Sequence, residues 1–345
     1  MRKRRKSKDP SQEADHNPTI TAMIRIQEQL EKRLAKAEAI GDIIKDTILS
    51  RVISVTPPKL EARESFAVTD PEAAVSIWSD LHFGEKVLPI DTVGANEYSF
   101  EEAKRRFANL VRRTYRIITM QQVLCPIDTL VICLLGDIAS GECIYPGQSF
   151  RLDLNVMDQV ISGGYLIADT INELSGKIAN IRVECVAGNH GRTAPKGFHD
   201  PSSNWDMILY AMIKERLKGN THVNVIVHEG TIALIDIMGR NIAISHGHKL
   251  VQSGMVETAM ARAASNWPDL LRHKLQGRSL NACFFGHYHT AAMFEIGSID
   301  VIANGSLIGG TSLSVQGNRR INEPKQWLVG IHPKRISWRY PIDVM

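Results

Sequence analysis

The sequence predicts an α/β fold, and three observations carry the prediction. Continuous apolar runs rich in β-branched residues, at 73–78, 129–135 and 181–187, have the length and composition of buried strands. Stretches of helical periodicity lie between them. Several of the runs stop abruptly in a glycine followed by a carboxylate, amide or imidazole, as strands do when they deliver their last side chains into a loop.

Taken in order, residues 1–18 are polar, include Pro10 and Pro18, and read as a disordered basic tail. Residues 19–53 turn helical, with Thr19 or Thr21 as the N-cap. Met23, Leu30, Ala37 and Ile44 recur every seven residues, and Ile20, Gln27, Leu34, Gly41 and Ile48 form a second such row. Together they make an imperfect coiled-coil seam, open to two readings: a homodimer through this helix, or an amphipathic helix packed on the main domain. Thr56-Pro57-Pro58 ends it, residues 54–72 read as a linker, and 73–345 form the main domain.

The run 73–78 leads into Ser79-Asp80-Leu81-His82, where the two-residue spacing lets Asp80 and His82 point to one side. Residues 101–121 are helical, with Phe107, Leu110 and Val111 on one face. Arg105, Arg106, Arg112, Arg113 and Arg116 lie largely elsewhere on it, either as an exposed arginine-rich side or as a phosphate-facing surface. The run 129–135 ends in Gly136-Asp137, and a helical region at 152–174 leads to 181–187, which ends in Gly188-Asn189-His190-Gly191-Arg192. A helix at 205–217 precedes strands at 223–227 and 232–237, with a turn at 238–241. Residues 242–245 run into His246-Gly247-His248, 254–276 are helical with an interruption at Trp267-Pro268, and 282–285 end in Gly286-His287-Tyr288-His289.

Composition narrows the class. The 345 residues are 43% apolar and 23% charged, ordinary for a globular protein with a substantial core. The five cysteines include no Cys-x-x-Cys pair, and three lie in strand-like runs, which predicts buried free thiols and a reducing, cytoplasmic setting. No apolar stretch has the length of a membrane span, and the basic N-terminus lacks the apolar segment of a secretory signal. The net charge is +4, but six basic groups fall within residues 2–8, leaving the rest at −2. Attraction to a phosphate polymer would therefore come from the tail or from local patches.

Five apolar runs thus end in metal-competent residues: Asp80 and His82; Asp137; Asn189 and His190; His246 and His248; His287 and His289. Each set alone is unremarkable. In an α/β sheet, however, the carboxyl ends of parallel strands converge on one crevice, and a common placement of all five demands a common cause. Mixed oxygen and imidazole ligands suit Mn, Fe, Zn or Co better than Ca or Mg alone.

This ordered set, Asp80-x-His82, Gly136-Asp137, Gly188-Asn189-His190, His246-Gly247-His248 and Gly286-His287-x-His289, resembles the calcineurin-like metallophosphoesterase superfamily across about residues 73–305. The resemblance implies a four-layer α/β/β/α sandwich of two mixed sheets flanked by helices. It also implies a binuclear centre of divalent metals, Mn²⁺ first, with Fe, Zn, Co or Ni as alternatives. Asp80, His82 and His289 would hold one metal, and Asn189, His246 and His287 the other, with Asp137 bridging. His190 would be the general acid to a metal-bridging hydroxide, and His248 a substrate-facing or supporting residue. Two departures stand out. Ser140 replaces the family's frequent Asp or Asn three residues after Asp137, and Gly191-Arg192 follows His190 where an acid is common. Arg192 is a candidate phosphate clamp.

The expected activity is phosphodiester hydrolysis, with DNA as a candidate substrate because of the basic tail, the arginine-rich helix and the dimer seam. A small phosphoester is the alternative, and a nucleic-acid-binding scaffold without catalysis a further one. The scaffold ranks behind the enzyme because all seven expected metal positions hold competent residues.

Overall fold

The computed structural model describes residues 18–52, 70–195, 198, 203–250, 255–316 and 321–345. The chain divides into two units, Met1–Ala67 and Val68–Met345. In the first, α1 (Pro18–Val52) is a single 35-residue helix. The described members of its seven-spaced rows, including Met23, Leu30 and Leu34, are exposed, whereas the Ile20, Ile44 and Ile48 side chains fall outside the described residues. So does most of the predicted tail and linker. The last linker residue belongs to the second unit: Glu72 Oε2 accepts from Ser337 Oγ at 2.7 Å and Trp338 Nε1 at 2.8 Å.

The second unit follows the predicted alternation. In chain order it comprises β1 (Ala73–Trp78), α2 (Phe100–Gln121), β2 (Thr129–Leu134), α3 (Val156–Ser175), β3 (Asn180–Cys185), α4 (Trp205–Arg216), β4 (Val223–Val227), β5 (Ile232–Ile237), β6 (Arg240–Ser245), α5 (Val256–Leu270), α6 (Arg272–Leu275), β7 (Ala282–Phe285), β8 (Ala292–Ile296), β9 (Ile299–Ala303), α7 (Ser312–Gln316), β10 (Lys325–His332) and β11 (Arg335–Asp343). The strands form two mixed sheets, ordered β11-β10-β1-β2-β3-β4 and β5-β6-β7-β9-β8. The five runs with polar ends are β1, β2 and β3, adjacent and parallel in the first sheet, and β6 and β7, adjacent and parallel in the second. Parallel pairing puts all the carboxyl ends of a group at one edge, which is what gathers the candidate ligands.

Strand alternation builds the layers. Val75 and Ile77 of β1 and Val131 and Cys133 of β2 face Ile242, Ile244 and Phe284 of the other sheet. Their neighbours Ala74, Trp78, Leu130 and Ile132 face Phe107, Ile167 and Leu209 on α2, α3 and α4. On the far side, Ala243, Cys283 and Phe285 pack on Met260, Ala263 and Trp267 of α5. Three apolar clusters therefore fill the three spaces of a helix–sheet–sheet–helix sandwich, because strands covered on both faces alternate which layer they serve. The helices begin where capping chemistry sets them: Ser99, Asn155 and Asn204 accept from backbone N–H groups in the first turns of α2, α3 and α4.

Three local expectations change. The hairpin turn is only Met238-Gly239, with φ of 54° and 79°, and Arg240 and Asn241 already belong to β6. A two-residue turn of this left-handed kind matches the strand twist. Helix α5 runs through Pro268 to Leu270. Of the five α2 arginines, Arg105, Arg112, Arg113 and Arg116 are exposed and Arg106 is not. Arg106 is 1% exposed and donates to the Leu307 and Ile308 carbonyls at 3.0 and 2.8 Å, to Asn96 Oδ1 at 2.8 Å and to the Glu97 carbonyl at 2.9 Å. It also pairs with Glu102, as does Arg105, while Arg113 ties down the backbone of Asp343 and Met345. Arg106→Ala would leave buried acceptors unpaired, at a cost of about 3 kcal/mol. Urea unfolding checks this; a loss under about 1 kcal/mol would contradict the clamp.

Candidate metal centre

The ligand-bearing loops are held side by side before any ligand is considered. Asp80 N donates to the Gly136 carbonyl and His82 N to that of Asp137, both at 3.0 Å, so the loops after β1 and β2 run as an extension of the sheet. The loops after β6 and β7 are joined by Gly286 N to the His246 carbonyl at 3.1 Å. The two pairs of loops are joined to each other: His287 N donates to Asp80 Oδ2 at 2.9 Å, and His246 Nδ1 meets the Leu135 carbonyl at 2.8 Å.

Backbone strain is concentrated here. Of the eight described non-glycine residues with left-handed φ, five are Asp80, His82, Asp137, His287 and His289. Such conformations cost of order 1–3 kcal/mol each and persist where the surroundings over-determine them, most often at functional sites. Gly188 shows how little slack remains, since a Cβ there would collide with Asp137 Oδ1 and its amide nitrogen.

The side chains converge in two groups. Donor atoms of Asp80, His82 and His289 lie within 4.8 Å of one another, as do those of Asp137, His246 and His287. In the first, His82 Nε2 and His289 Nε2 are 3.2 Å apart and His289 Nε2 is 3.2 Å from Asp80 Oδ1. In the second, His246 Nε2 lies 3.0 Å from both Asp137 Oδ2 and Asn189 Oδ1. A carbonyl only accepts, so His246 Nδ1 carries the proton it gives to Leu135. Its Nε2 is therefore the nitrogen turned to the two oxygens: protonated it donates to them, and deprotonated it joins them as a donor set that suits a divalent metal.

Electrostatics agree. Burial and then the charges of His190 and His289 hold the His82 imidazole well below its usual range. Burial, followed by His246, lowers His287 to about 4. Neutral imidazoles are the form that binds metals. Burial opposes ionisation of Asp137, but His246 and His190 outweigh it and keep the carboxyl well below the usual carboxylate range. At His246 burial is in turn outweighed by Asp137, which raises it to about 9, the signature of an imidazole facing negative charge.

The remaining predicted residues border the two groups. His190 packs edge-on to His82 at 4.7 Å, and its Nδ1 lies 3.1 Å from the Ser140 carbonyl. His248 lies 5.5 Å from His246 and 6.3 Å from His287, ring centre to ring centre, beside the second group rather than in it. Arg192 Nε donates to the Asn189 carbonyl at 2.7 Å, which fastens the guanidinium to the ligand loop. Asp137 gathers with the second group and also accepts from His190 N at 2.7 Å.

The resemblance to calcineurin-like metallophosphoesterases holds in three dimensions. The chain shows the two-sheet sandwich, and the two ligand groups fall at the facing strand ends. No family model matches it. The SPbeta prophage-derived uncharacterized protein YonJ of Bacillus subtilis (strain 168) is 21% identical over 250 residues, covering 70% of this chain and 57% of YonJ. The chain thus spans little more than half of that relative. Among solved structures, an archaeal phosphodiesterase is 13% identical with a TM-score of 0.34, covering 78% of this chain and 99% of that one. Vps29 of Entamoeba histolytica complexed with zinc is 16% identical with a TM-score of 0.27, covering 51% and 88%. Similarities this distant fix neither substrate nor activity.

Sequence reasoning missed the supports. Asp206, fully buried at the start of α4, accepts from Asp137 N and Gly188 N at 2.9 Å, Ile138 N at 3.1 Å and Ala139 N at 3.2 Å. One carboxylate thereby binds the Asp137 and Asn189 loops together. Burial and the nearby Asp137 charge push it up to about 6, against the pull of those N–H donors. Gln326 brackets Ser79 through its backbone N and O, both at 3.0 Å, and Ser79 Oγ donates to Asp80 Oδ2 at 2.6 Å. The available signal for Asp206 was its place two residues after a capping Asn204; for Gln326 there was none. Asp206→Asn should weaken metal uptake at the Asp137 group by about 10- to 100-fold, read by calorimetric titration with Mn²⁺. Unchanged uptake would show that the ligand loops hold their positions without it.

Proposed function

We propose that this chain is a metal-dependent phosphoesterase that cleaves phosphodiester bonds at a binuclear centre. The observation that carries the reading is the convergence of His246 Nε2 with Asp137 and Asn189, beside a second group in which two imidazoles and Asp80 face one another. Asp80, His82 and His289 would hold one divalent cation and Asn189, His246 and His287 the other, with Asp137 shared and Mn²⁺ first among the metals. Such a pair, when bound, draws an attacking hydroxide from water and neutralises phosphoryl oxygens.

The chain's own residues account for the rest. His190 gives its Nδ1 proton to the Ser140 carbonyl, so Nε2 is the nitrogen that protonates the leaving oxygen. Arg192, fastened at Nε, would present its remaining guanidinium nitrogens to a phosphoryl oxygen, and His248 would face the substrate from the second group. A cavity of about 60 Å³ opens beside the first group, lined by His82, Glu85, Tyr145, His190, His289, Ile308, Thr311 and Ser312. The nuclease reading keeps the basic tail and the exposed Arg105, Arg112, Arg113 and Arg116 of α2 but loses Arg106, which is engaged within the fold. No described helix is long and apolar enough to cross a membrane.

The test is to load the protein with Mn²⁺ and compare a small phosphodiester, a phosphomonoester, and single- and double-stranded DNA. The small diester should turn over. With an alkoxide leaving group, His190→Ala should keep its metal and lose about 10²- to 10⁴-fold in kcat. Asp137→Ala should lose the metal pair. Turnover persisting in Asp137→Ala would sink the assignment, and two bound metals without any turnover would leave the scaffold.

A further inference from the structure

Glu85 belongs to no motif, yet it is 8% exposed and lines the same cavity as His82, His190 and His289. Its backbone N donates to the His82 carbonyl at 3.0 Å, so it is built onto the loop that carries one ligand group. Its carboxylate accepts from Ser140 Oγ, on the loop after Asp137. Ser140 in turn offers its carbonyl to His190 Nδ1 at 3.1 Å and to Gln148 Nε2 at 2.9 Å, and its N donates to the Phe83 carbonyl at 3.1 Å. Every hydrogen-bonding group of Ser140 is thus committed, and the only side chain on its hydroxyl is Glu85 among the described residues. A residue held at all its polar atoms presents its carbonyl in one direction, and that carbonyl sets the plane of the His190 ring.

We propose, resting on the phosphoesterase reading, that Glu85 is a positioning residue for leaving-group protonation, acting through Ser140 to keep His190 Nε2 on the leaving oxygen. In the step it serves, a hydroxide, formed from water by loss of a proton to solvent, bonds to phosphorus as the P–O bond to the leaving group breaks. The electron pair stays on the departing oxygen, which takes the proton from His190 Nε2. Glu85 exchanges nothing. The proposal makes the effect depend on the leaving group: an alkoxide needs that proton, whereas p-nitrophenolate leaves without it.

The experiment compares two phosphodiesters, one with an alkoxide and one with a p-nitrophenolate leaving group, in Mn²⁺-loaded wild type, Glu85→Ala, Glu85→Gln, Ser140→Ala and His190→Ala. Glu85→Ala and Ser140→Ala should lose about 10- to 100-fold in kcat on the alkoxide ester at unchanged KM, and under about 3-fold on the p-nitrophenyl ester. Glu85→Gln, which still accepts from Ser140, should recover most of the loss. Adding Glu85→Ala to His190→Ala should cost nothing more on the alkoxide ester. Metal content by atomic emission and the thermal midpoint should match wild type in Glu85→Gln and Ser140→Ala. Equal losses on both esters, or loss of metal from those two variants, would overturn the proposal and make Glu85 a brace of the ligand loop. Wild-type protein inactive on both esters would overturn the phosphoesterase reading itself, and this inference with it.

Discussion

The hydrogen bond between His246 Nδ1 and the Leu135 carbonyl does two things at once. It crosses from the end of β6 to the end of β2, tying the edges of the two sheets where they face each other. It also decides which nitrogen of His246 faces Asp137 and Asn189. Together with the bond from His287 N to Asp80, it makes the geometry of the site and the docking of the sheets a single condition. A sandwich whose sheets slid by one residue would lose the register of its centre along with its core.

That coupling explains how the molecule supports such an unfavourable interior. Asp80, Asp137 and Asp206 are all buried near the same strand ends, and five candidate ligands sit in left-handed backbone conformations. Each feature opposes folding when taken alone. The opposing contribution comes from three apolar clusters that fill the spaces between layers and converge on the ligand strands, with Trp78, Phe284 and Phe285 fully buried. Hydrogen bonds do the local work: Asp206 gathers four backbone N–H groups, and Ser79 and His287 N share Asp80. Strain is confined to loop ends that a rigid scaffold holds on both sides.

The part of this that could be read from sequence is the part written in short-range patterns. The pairs Asp80/His82 and His287/His289 lie two residues apart at the end of an apolar run, so spacing alone placed them at strand ends. The layers follow from strands apolar on both faces, and the ligand partition came from the resemblance. What could not be read is what depends on distant partners. Gln326 meets Ser79 across 247 positions, and Asp206 reaches loops almost 70 positions earlier. Arg106 looked like one of five surface arginines because helical periodicity says nothing of the carbonyls at Leu307 and Ile308 that it satisfies. Glu85 escaped notice for the same reason, as its partner is a serine 55 residues away.

The pairing of His82 with His289 spans 207 positions. In the order of synthesis, the first half of that group is made early and its completing imidazole arrives only after both sheets have most of their strands. A chain still emerging past β3 exposes Asp80, His82, Asp137 and Asn189 without the histidines that complete either group. It can hold a metal only weakly, and in the wrong company. Metal held by the proposed ligands would therefore bind tightly only to the finished fold, and by mass action each bound ion would then stabilise it. The centre would act as a clasp that is fastened last.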